Sequence, residues 1–308
     1  MIVRPRLHWF RLLFVWRGSV LPQIVGRLVV IFIVSVVSVA LSGWWLQHFP
    51  QSALSIPPFT LMGIALAIFL GFRNSVSYER FWEARKQWGS LLIVARNLIN
   101  KLGVCQPESS VAGLREQAAR RVTAFAYALK HQLRGTDPSD DLRLRLSSEC
   151  LATIDGKLFP AQIILQSISE QVGMLRHDGR LSEMAWLALA RDIDRLGEVA
   201  GASERIASTP IPYTYRVLMN RTVVIYCLLL PIGLTTTLGW LTPLIATFVA
   251  YSFLALETVG EQLEDPFGIE ANDLALDALC HTIESAACEL AGVAPLGQAP
   301  RVEDFVLT

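Results

Sequence analysis

Uninterrupted apolar stretches in two regions of the chain predict its membrane-spanning helices. Residues 28–46 carry no charge, residues 56–72 form a second apolar stretch, and residues 222–256 extend the pattern over thirty-five positions that include Pro231 and Pro243. A helix needs roughly 20 apolar residues to cross the hydrocarbon core of a bilayer. The pattern therefore predicts four membrane helices in two hairpins, with TLGWLTP as the external turn of the second hairpin.

The region between the hairpins has apolar side chains at helical spacing. In residues 78–102 aromatic and aliphatic positions alternate with charged ones, which predicts an amphipathic helix that continues the second membrane helix. Further helical patterns occupy residues 111–134, 160–177 and 181–206, separated by turn sequences such as GTDPSDD and HDG. No alternating β-branched pattern competes with them, so the predicted fold class is all-α.

These patterns divide the chain into five segments. We expect a cytosolic N-terminal segment, a first hairpin, a helical cytosolic region, a second hairpin and an acidic cytosolic C-terminal segment. Their predicted bounds are residues 1–27, 28–72, 73–221, 222–256 and 257–308.

Composition and charge agree with a multi-pass membrane protein and orient it. Hydrophobic residues make up 52% of the chain and charged residues 18%, with a mean hydropathy of +0.42, which is unusual for a soluble protein. The stretch 28–46 is too long for the apolar core of a cleaved signal peptide. Five arginines precede this stretch, so the positive-inside rule predicts that both termini are cytoplasmic, in a bacterial inner membrane.

The formal net charge of zero conceals an uneven distribution. Residues 1–78 contain six arginines and no acid, whereas residues 257–308 contain eleven acids and only one basic residue, Arg301. The two ends of the chain either face each other in the folded protein or serve as an unrelated anchor and solvated tail. Charge alone leaves both alternatives open.

Familiar catalytic motifs are absent from the sequence. It has no dinucleotide-binding or phosphate-binding loop, no HExxH and no nucleophile elbow. His281 and Glu284 share a helix face as two metal ligands could, but such a pair is common. The predicted spans also lack the ionisable midplane residues of a pump, so we expect a passive conduit without catalytic activity or a resident cofactor.

The second predicted span carries two stripes of different size. The bulky stripe comprises Ile64, Ile68 and Phe72. The small stripe comprises Gly63, Ala67 and Gly71, about 100° away around the helix. Small residues let membrane helices approach closely, so a ring of such helices would point the bulky stripe inward as a hydrophobic constriction. The alternative is that the bulky stripe faces lipid or packs within one subunit.

Four stretches of the chain resemble the bestrophin family, particularly its bacterial branch. They are WFRLLFVWRGSV at 9–20, FRNSVSYERFWEARKQWG at 72–89, STPIPYTY at 208–215 and LEDPFGIEANDLALD at 263–277. The order of hairpin, helical region, hairpin and acidic tail is similar as well. The resemblance implies a homopentameric ion channel in the lipid bilayer with one central pore, a hydrophobic neck and a cytosolic constriction.

Carried over by position, the resemblance assigns roles to several residues. It implies that Ile64, Ile68 and Phe72 form the pore neck and that Arg73 and Asn74 lie at the neck exit. The cytosolic constriction would be formed by Met184, with Glu183 beside it.

Animal bestrophins have a calcium-binding clasp at the segment that corresponds to QLEDPFGIEAND. The matching oxygen ligands here are Gln262, Asp265, Glu270 and Asp273. The aspartate run of the animal proteins is interrupted by Ala271 and Asn272, which makes a calcium switch doubtful because calcium favours several carboxylate and carbonyl oxygens. The alternative role is helix N-capping by Asn272 or Asp273.

The sign of the permeant ion depends on fixed charge near the constrictions. Glu183, repeated around a pentamer, would favour cations, whereas Arg73 would oppose them. We expect monovalent ions with cations such as sodium favoured, and the alternative is an anion-selective channel like the animal bestrophins.

Two other classes of function are weighed against a channel. One is a membrane-anchored enzyme that binds a metal or small molecule through His131, His177 or His281, and the other is a scaffold that uses the acidic tail. No motif supports either class, and no nucleic acid partner is expected.

Overall fold

The described residues fold almost entirely into helices, which confirms the all-α class. A computed structural model describes residues 1–5, 8–48, 56–104 and 108–307. Its helices are α1 (Trp9–Leu12), α2 (Leu21–His48), α3 (Ile56–Val104), α4 (Glu108–Arg134), α5 (Ser139–Arg143), α6 (Ser148–Ile154), α7 (Pro160–His177), α8 (Glu183–Ser208), α9 (Tyr213–Leu238), α10 (Thr242–Glu264) and α11 (Leu276–Ala291). Most of the predicted first connection, residues 49–55, lies outside the described residues, as does Arg6 of the basic N-terminal set.

The helices form two compact units. The hairpin unit comprises Arg4–Phe81 and Pro210–Asp265, and the bundle unit comprises Met1–Val3, Trp82–Thr209 and Pro266–Thr308. The single helix α3 runs without a break through the predicted membrane helix and its amphipathic extension. The five predicted segment boundaries stay a prediction.

Three described segments are long and apolar enough to cross a membrane. They are Leu21–Trp45, Ile56–Val104 and Tyr213–Glu264, and the last contains α9, a short 3₁₀ helix (Gly239–Leu241) and α10. The 3₁₀ helix coincides with the predicted TLGWLTP turn, where Gly239 has a positive φ of 49°. Four membrane crossings therefore stay a prediction.

The membrane helices begin earlier than hydropathy predicts. α2 begins at Leu21 rather than at residue 28, and α9 begins at Tyr213 rather than near Arg221. Gln, Arg and Tyr are compatible with a helix but lower its hydropathy, so an apolar window detects only the apolar part of each helix. Pro231 lies inside α9 without ending it, while Pro243 occupies the first turn of α10, where its missing N–H is tolerated.

Apolar side chains hold the hairpin unit together. α10 packs against α2 and α9, and α2 packs against α9. Residues at helical spacing on α2 and α3 supply one part of the core, including Ile24, Leu28, Leu66 and Leu70. Small residues of α10, such as Ala246 and Ala250, are fully buried and allow close approach of neighbouring helices.

The helix α4 is the centre of the bundle unit. Its residues 122–130 are all buried, and it packs against α7 and α11. The short helices α5 and α6 follow it, and sequence patterns did not predict them because five and seven residues are too few to establish a helical period.

Buried ion pairs tie α5 and α11 to α4. The carboxylate of Glu284 on α11 accepts hydrogen bonds from Arg145 at 2.7 Å and from the Tyr127 hydroxyl at 3.2 Å. Lys130 Nζ lies between Asp141 at 2.8 Å and Asp277 at 2.9 Å. Burial alone would raise the carboxyl pKa values, but the Lys130 hydrogen bonds and additional ones from His131 and Arg134 lower the pKa of Asp141 and Asp277.

Candidate functional site

The bulky stripe lies on the outer surface of the hairpin unit. Ile64, Ile68 and Phe72 are 56%, 52% and 66% exposed. The alternative in which these side chains pack within one subunit is therefore wrong, and they are available to lipid, to another copy or to a pore.

The opposite face of α3 supplies its contacts within the hairpin unit. Leu66, Leu70, Arg73 and Ser77 are buried at three- and four-residue spacing. With about 100° of rotation per residue, this buried face lies almost opposite the bulky stripe. The packing of the subunit thus fixes the rotation of α3 and directs the bulky stripe away from its own core.

The small stripe is only partly used within the hairpin unit. Gly63 lies against Tyr226 of α9, where an added Cβ would be 2.6 Å from the tyrosine hydroxyl oxygen. Ala67 and Gly71 are exposed, and an added Cβ at Gly71 would meet nothing within 4 Å. These two positions leave room for a helix of another molecule to approach closely.

Arg73, which is expected at the neck exit, is buried against α10. Its side chain is 0% exposed, with Nη1 3.7 Å from Glu257 Oε1 and Nη2 3.5 Å from Glu264 Oε2. Solvent does not reach this guanidinium group, so it is not presented to ions on the surface of the subunit. Both carboxylates lie on α10, which makes Arg73 a link between α3 and α10.

Arg73 belongs to a balanced group of four charges. Arg27 of α2 donates a hydrogen bond to Glu257 Oε2 at 3.4 Å, and Asn220 of α9 donates to Oε1 at 3.0 Å. We call Arg27, Arg73, Glu257 and Glu264 the buried charge cluster, in which Arg27 is half exposed and the other three side chains are buried. It confirms, for these residues, that basic N-terminal and acidic C-terminal parts of the chain face each other.

The geometry of the buried charge cluster leaves the guanidinium group of Arg73 without direct hydrogen bonds. None of its three nitrogens has such a partner among the described residues, and the two ion-pair distances exceed those of charge-assisted hydrogen bonds. A buried charge is tolerated only when opposite charges compensate its desolvation. Arg73 therefore depends on both glutamates for its place in the fold.

Asn74 is half-buried beside the same helix. A Cβ added at Gly260 of α10 would collide with the Asn74 amide oxygen. The lack of a side chain at Gly260 lets α10 pack closely against α3 at this level. Asn74, like Arg73, contacts α10 of its own chain, and a position at the neck exit stays a prediction for both residues.

The residues expected at the cytosolic constriction lie at the start of α8 in the bundle unit. Met184 is 76% exposed, and Glu183 accepts a hydrogen bond from Arg176 at 2.8 Å. Ser182 caps the helix by accepting a hydrogen bond from the N–H of Ala185 at 3.2 Å. This cap fixes the start of α8 and therefore places Glu183 and Met184 in its first turn. The carboxylate of Glu183 is thus exposed but paired with a cation.

The expected calcium ligands lie in both units. Asp273 Oδ2 accepts the backbone N–H of Glu270 at 2.7 Å and so closes the turn between them, while Gln262 donates to Gln23 at 3.0 Å. The N-cap of α11 is Ala275 without a side-chain cap, so the alternative of capping by Asn272 or Asp273 is wrong. A calcium set that also includes Asp265 stays a prediction.

Metal binding by histidine finds no support in the described parts of the chain. Within 1–5, 8–48, 56–104 and 108–307, no group of three or more His, Cys, Asp or Glu side chains is placed to hold a metal ion. Of the predicted pair, Glu284 is engaged by Arg145 and His281 Nε2 lies 3.4 Å from the Ser285 hydroxyl.

Sequence reasoning missed the residues that surround Arg73. Glu257 is the first charge after the apolar block 222–256, just as Arg73 is the first after 56–72. Opposite charges that both end apolar helices are candidates for pairing at one level of a helix bundle. That signal identifies Glu257, but the contributions of Asn220 and Gly260 depend on the packing of α9 and α10.

Comparison with known proteins shows similarity over the whole chain. Residues 1–289 match the family described as Bacterial/Fungal Bestrophin protein. A Ralstonia nicotianae protein named voltage-dependent anion channel-forming protein RSc3414 is 43% identical over 307 residues, covering 100% of both chains. Escherichia coli (strain K12) YneE, which carries the same description, is 40% identical over 284 residues and 92% of each chain.

A solved structure has the same fold. The crystal structure of a bacterial bestrophin homolog from Klebsiella pneumoniae matches with a TM-score of 0.85 and 39% identity. The match covers 88% of this chain and 100% of that one.

Proposed function

Because the chain belongs to the bacterial and fungal bestrophin family, we propose that it is a passive ion channel with a hydrophobic gate. Ile64, Ile68 and Phe72 form the neck in this proposal. The observation that carries it is their position on the outer face of α3, each more than half exposed and directed away from the core of the subunit. A narrow ring of such side chains opposes water, and conduction requires that the ring widen or become wet.

We propose a homopentamer in which neighbouring copies of α3 approach on the small stripe. Ala67 and Gly71 are exposed and support this contact, while the number five comes from the family resemblance. The mass of the detergent-solubilised protein tests it, and a mass of one or two subunits would refute a pore made from five copies of α3.

The proposed channel crosses the bacterial inner membrane four times with both termini cytoplasmic. The five arginines of residues 1–27 support this orientation. Cysteine labelling from each side of inside-out vesicles at positions near either end of the chain measures it directly.

We propose that monovalent cations such as sodium pass more readily than anions. The positive charge of Arg73 would favour anions at the neck, but it is buried and balanced by Glu257 and Glu264. Glu183 remains exposed near Met184, although Arg176 offsets part of its charge. The names of the Ralstonia and Escherichia coli relatives support the competing proposal of an anion channel.

Single-channel recording in planar bilayers tests the gate. We expect long closed periods for the unmodified protein and a large increase in open probability when Ile64, Ile68 and Phe72 are replaced by alanine. Phe69→Ala is the matched control, because Phe69 is 52% exposed on the same helix but lies outside the bulky stripe. Equal currents from both variants would refute the neck, and no current from any of them would refute the channel.

The reversal potential under a tenfold salt gradient determines the ion sign. A potential close to the cation equilibrium value supports the proposal, and one close to the chloride value supports the anion channel. Glu183→Gln and Arg176→Gln, made separately, should shift the potential in opposite directions if the exposed pair lines the ion path.

We propose that conduction requires no resident cofactor and no calcium. One oxygen of Asp273 already accepts a hydrogen bond from the backbone N–H of Glu270. Ala271 and Asn272 stand where animal bestrophins have a run of aspartates. Open probability should be the same in calcium and in chelator, and a reversible loss of current in chelator would contradict this.

A further inference from the structure

The segment of residues 8–17 carries a dense set of exposed apolar side chains that the proposed channel mechanism does not use. Its large side chains that are about half exposed or more are Trp9, Phe10, Leu12, Leu13, Phe14 and Trp16, with Phe14 at 74%. The helix α1 within it has no buried residue. An exposed patch of this density marks an interaction surface.

The local structure holds the aromatic rings next to one another. His8 Nδ1 accepts the N–H of Phe10 at 3.4 Å, which begins the single turn of α1. The Phe10 ring contacts those of Trp9 and Phe14 at centroid distances of 5.8 and 5.5 Å. The rings therefore form one continuous surface.

The position and charge of the segment match a membrane surface. It ends four residues before Leu21, where the apolar helix α2 begins. Arg11 lies exposed among the aromatic residues, and residues 1–78 contain no acid to compensate it. Tryptophan favours the region of the lipid headgroups, and exposed arginine near a bilayer attracts anionic lipids.

We propose that residues 8–17 form an interfacial anchor that binds anionic phospholipid. Trp9, Phe14 and Trp16 insert between the acyl chains at headgroup depth, and Arg11 pairs with the phosphate and negative charge of the headgroup. Continuity with α2 holds the segment at the bilayer surface, so binding requires little further ordering.

Quenching by brominated lipids tests the proposal on the full-length protein in nanodiscs. The discs contain phosphatidylcholine and a minor fraction of phosphatidylglycerol. In one sample the phosphatidylglycerol has brominated acyl chains. In the other sample an equal amount of the phosphatidylcholine is brominated instead. The emission of Trp9 and Trp16 is obtained by subtracting the tryptophan emission of the Trp9→Phe/Trp16→Phe variant from that of the unmodified protein. We expect phosphatidylglycerol to be enriched roughly fivefold over phosphatidylcholine around these rings, for one arginine near the surface.

Two variants and salt separate this site from general membrane contact. Arg11→Gln should reduce the enrichment to near one, whereas Arg143→Gln, which removes an exposed arginine of α5, should leave it unchanged. High salt should reduce the enrichment in the unmodified protein. Equal quenching by both lipids would overturn anionic recognition, and no quenching by either would show that another protein surface covers the segment. The measurement reads lipid contact rather than current, so its outcome is independent of the proposed channel.

Discussion

Replacing Arg73 by methionine should destabilise the hairpin unit strongly. Methionine keeps the length and apolar stem of the side chain but removes its charge, which leaves Glu257 and Glu264 with less compensation in a buried position. At the observed separations of 3.7 and 3.5 Å, each ion pair has a Coulomb energy of about 4–5 kcal/mol at an effective dielectric constant near 20. The cost of burying the guanidinium group offsets part of this energy in the unmodified protein.

The free energy of unfolding should therefore fall by less than the summed Coulomb energies of the two ion pairs. Breaking a buried pair by removing one partner costs about 3–5 kcal/mol. For a protein of this size we expect the melting temperature of the detergent-solubilised protein to fall by on the order of 10 °C. Intrinsic tryptophan fluorescence during heating measures it.

A second substitution identifies the cause of the loss. Glu264→Gln in the Arg73→Met background removes one uncompensated charge and should recover part of the lost stability, although the same substitution alone should be destabilising. Arg27→Met is the control, because Arg27 is about half exposed and its pair with Glu257 should contribute at most about 1 kcal/mol. If Arg73→Met melts within about 2 °C of the unmodified protein, Arg73 does not hold α3 against α10.

Three further predictions concern both units. Glu284→Gln removes the nearer of the two carboxylates that pair with the buried guanidinium of Arg145 and leaves Asp141 at 3.3 Å, so the free energy of unfolding should fall by about 1–3 kcal/mol, measured by thermal unfolding. Gly233→Ala places a methyl group against the Phe59 ring and should cost about 1–3 kcal/mol by the same assay. Because the pKa values of Glu284 and Asp277 are lowered, the stabilisation by both is complete above their unfolded values and should decrease below about pH 4, measured by circular dichroism.

Matched variants separate these effects from general sensitivity to mutation. Glu289→Gln changes an exposed glutamate of the same helix as Glu284 and should leave the melting temperature unchanged. Gly43→Ala, where an added Cβ meets nothing within 4 Å, should be neutral or slightly stabilising. The Glu284→Gln variant should also lose less stability on acidification, and an unchanged acid profile would assign the pH dependence to other groups.

Helical periodicity predicted much of the fold because one side of each helix is buried. The predicted helix at 160–177 has the bounds of α7, and those predicted at 111–134 and 181–206 differ from α4 and α8 by a few residues. The bulky stripe was predicted as one face by the same reasoning. The short α1, α5 and α6 were not predicted, since helices of one or two turns are too short to establish a period.

The position of Arg73 could not be read from its neighbours in the chain. It follows an apolar stretch, which is typical of a residue at a membrane boundary, and the family resemblance placed it next to the ion path. Its burial depends on Glu257 and Glu264, which are more than 180 residues away in sequence, and on the gap that Gly260 leaves for α10. Such compensation is a property of tertiary packing, which local patterns do not contain.

The continuity of α3 limits how its exposed residues can move. No residue between Ile64 and Phe81, the part of α3 that belongs to the hairpin unit, interrupts the helix, and these positions span about 25 Å along its axis. A helix twists very little when its backbone hydrogen bonds stay intact, so Phe72 cannot turn about the axis by itself. A rotation that withdraws one bulky side chain would turn the far end by a similar angle. A reporter group placed at Tyr78, which is exposed on the same helix, could then follow a movement that begins at Ile64, fourteen residues away.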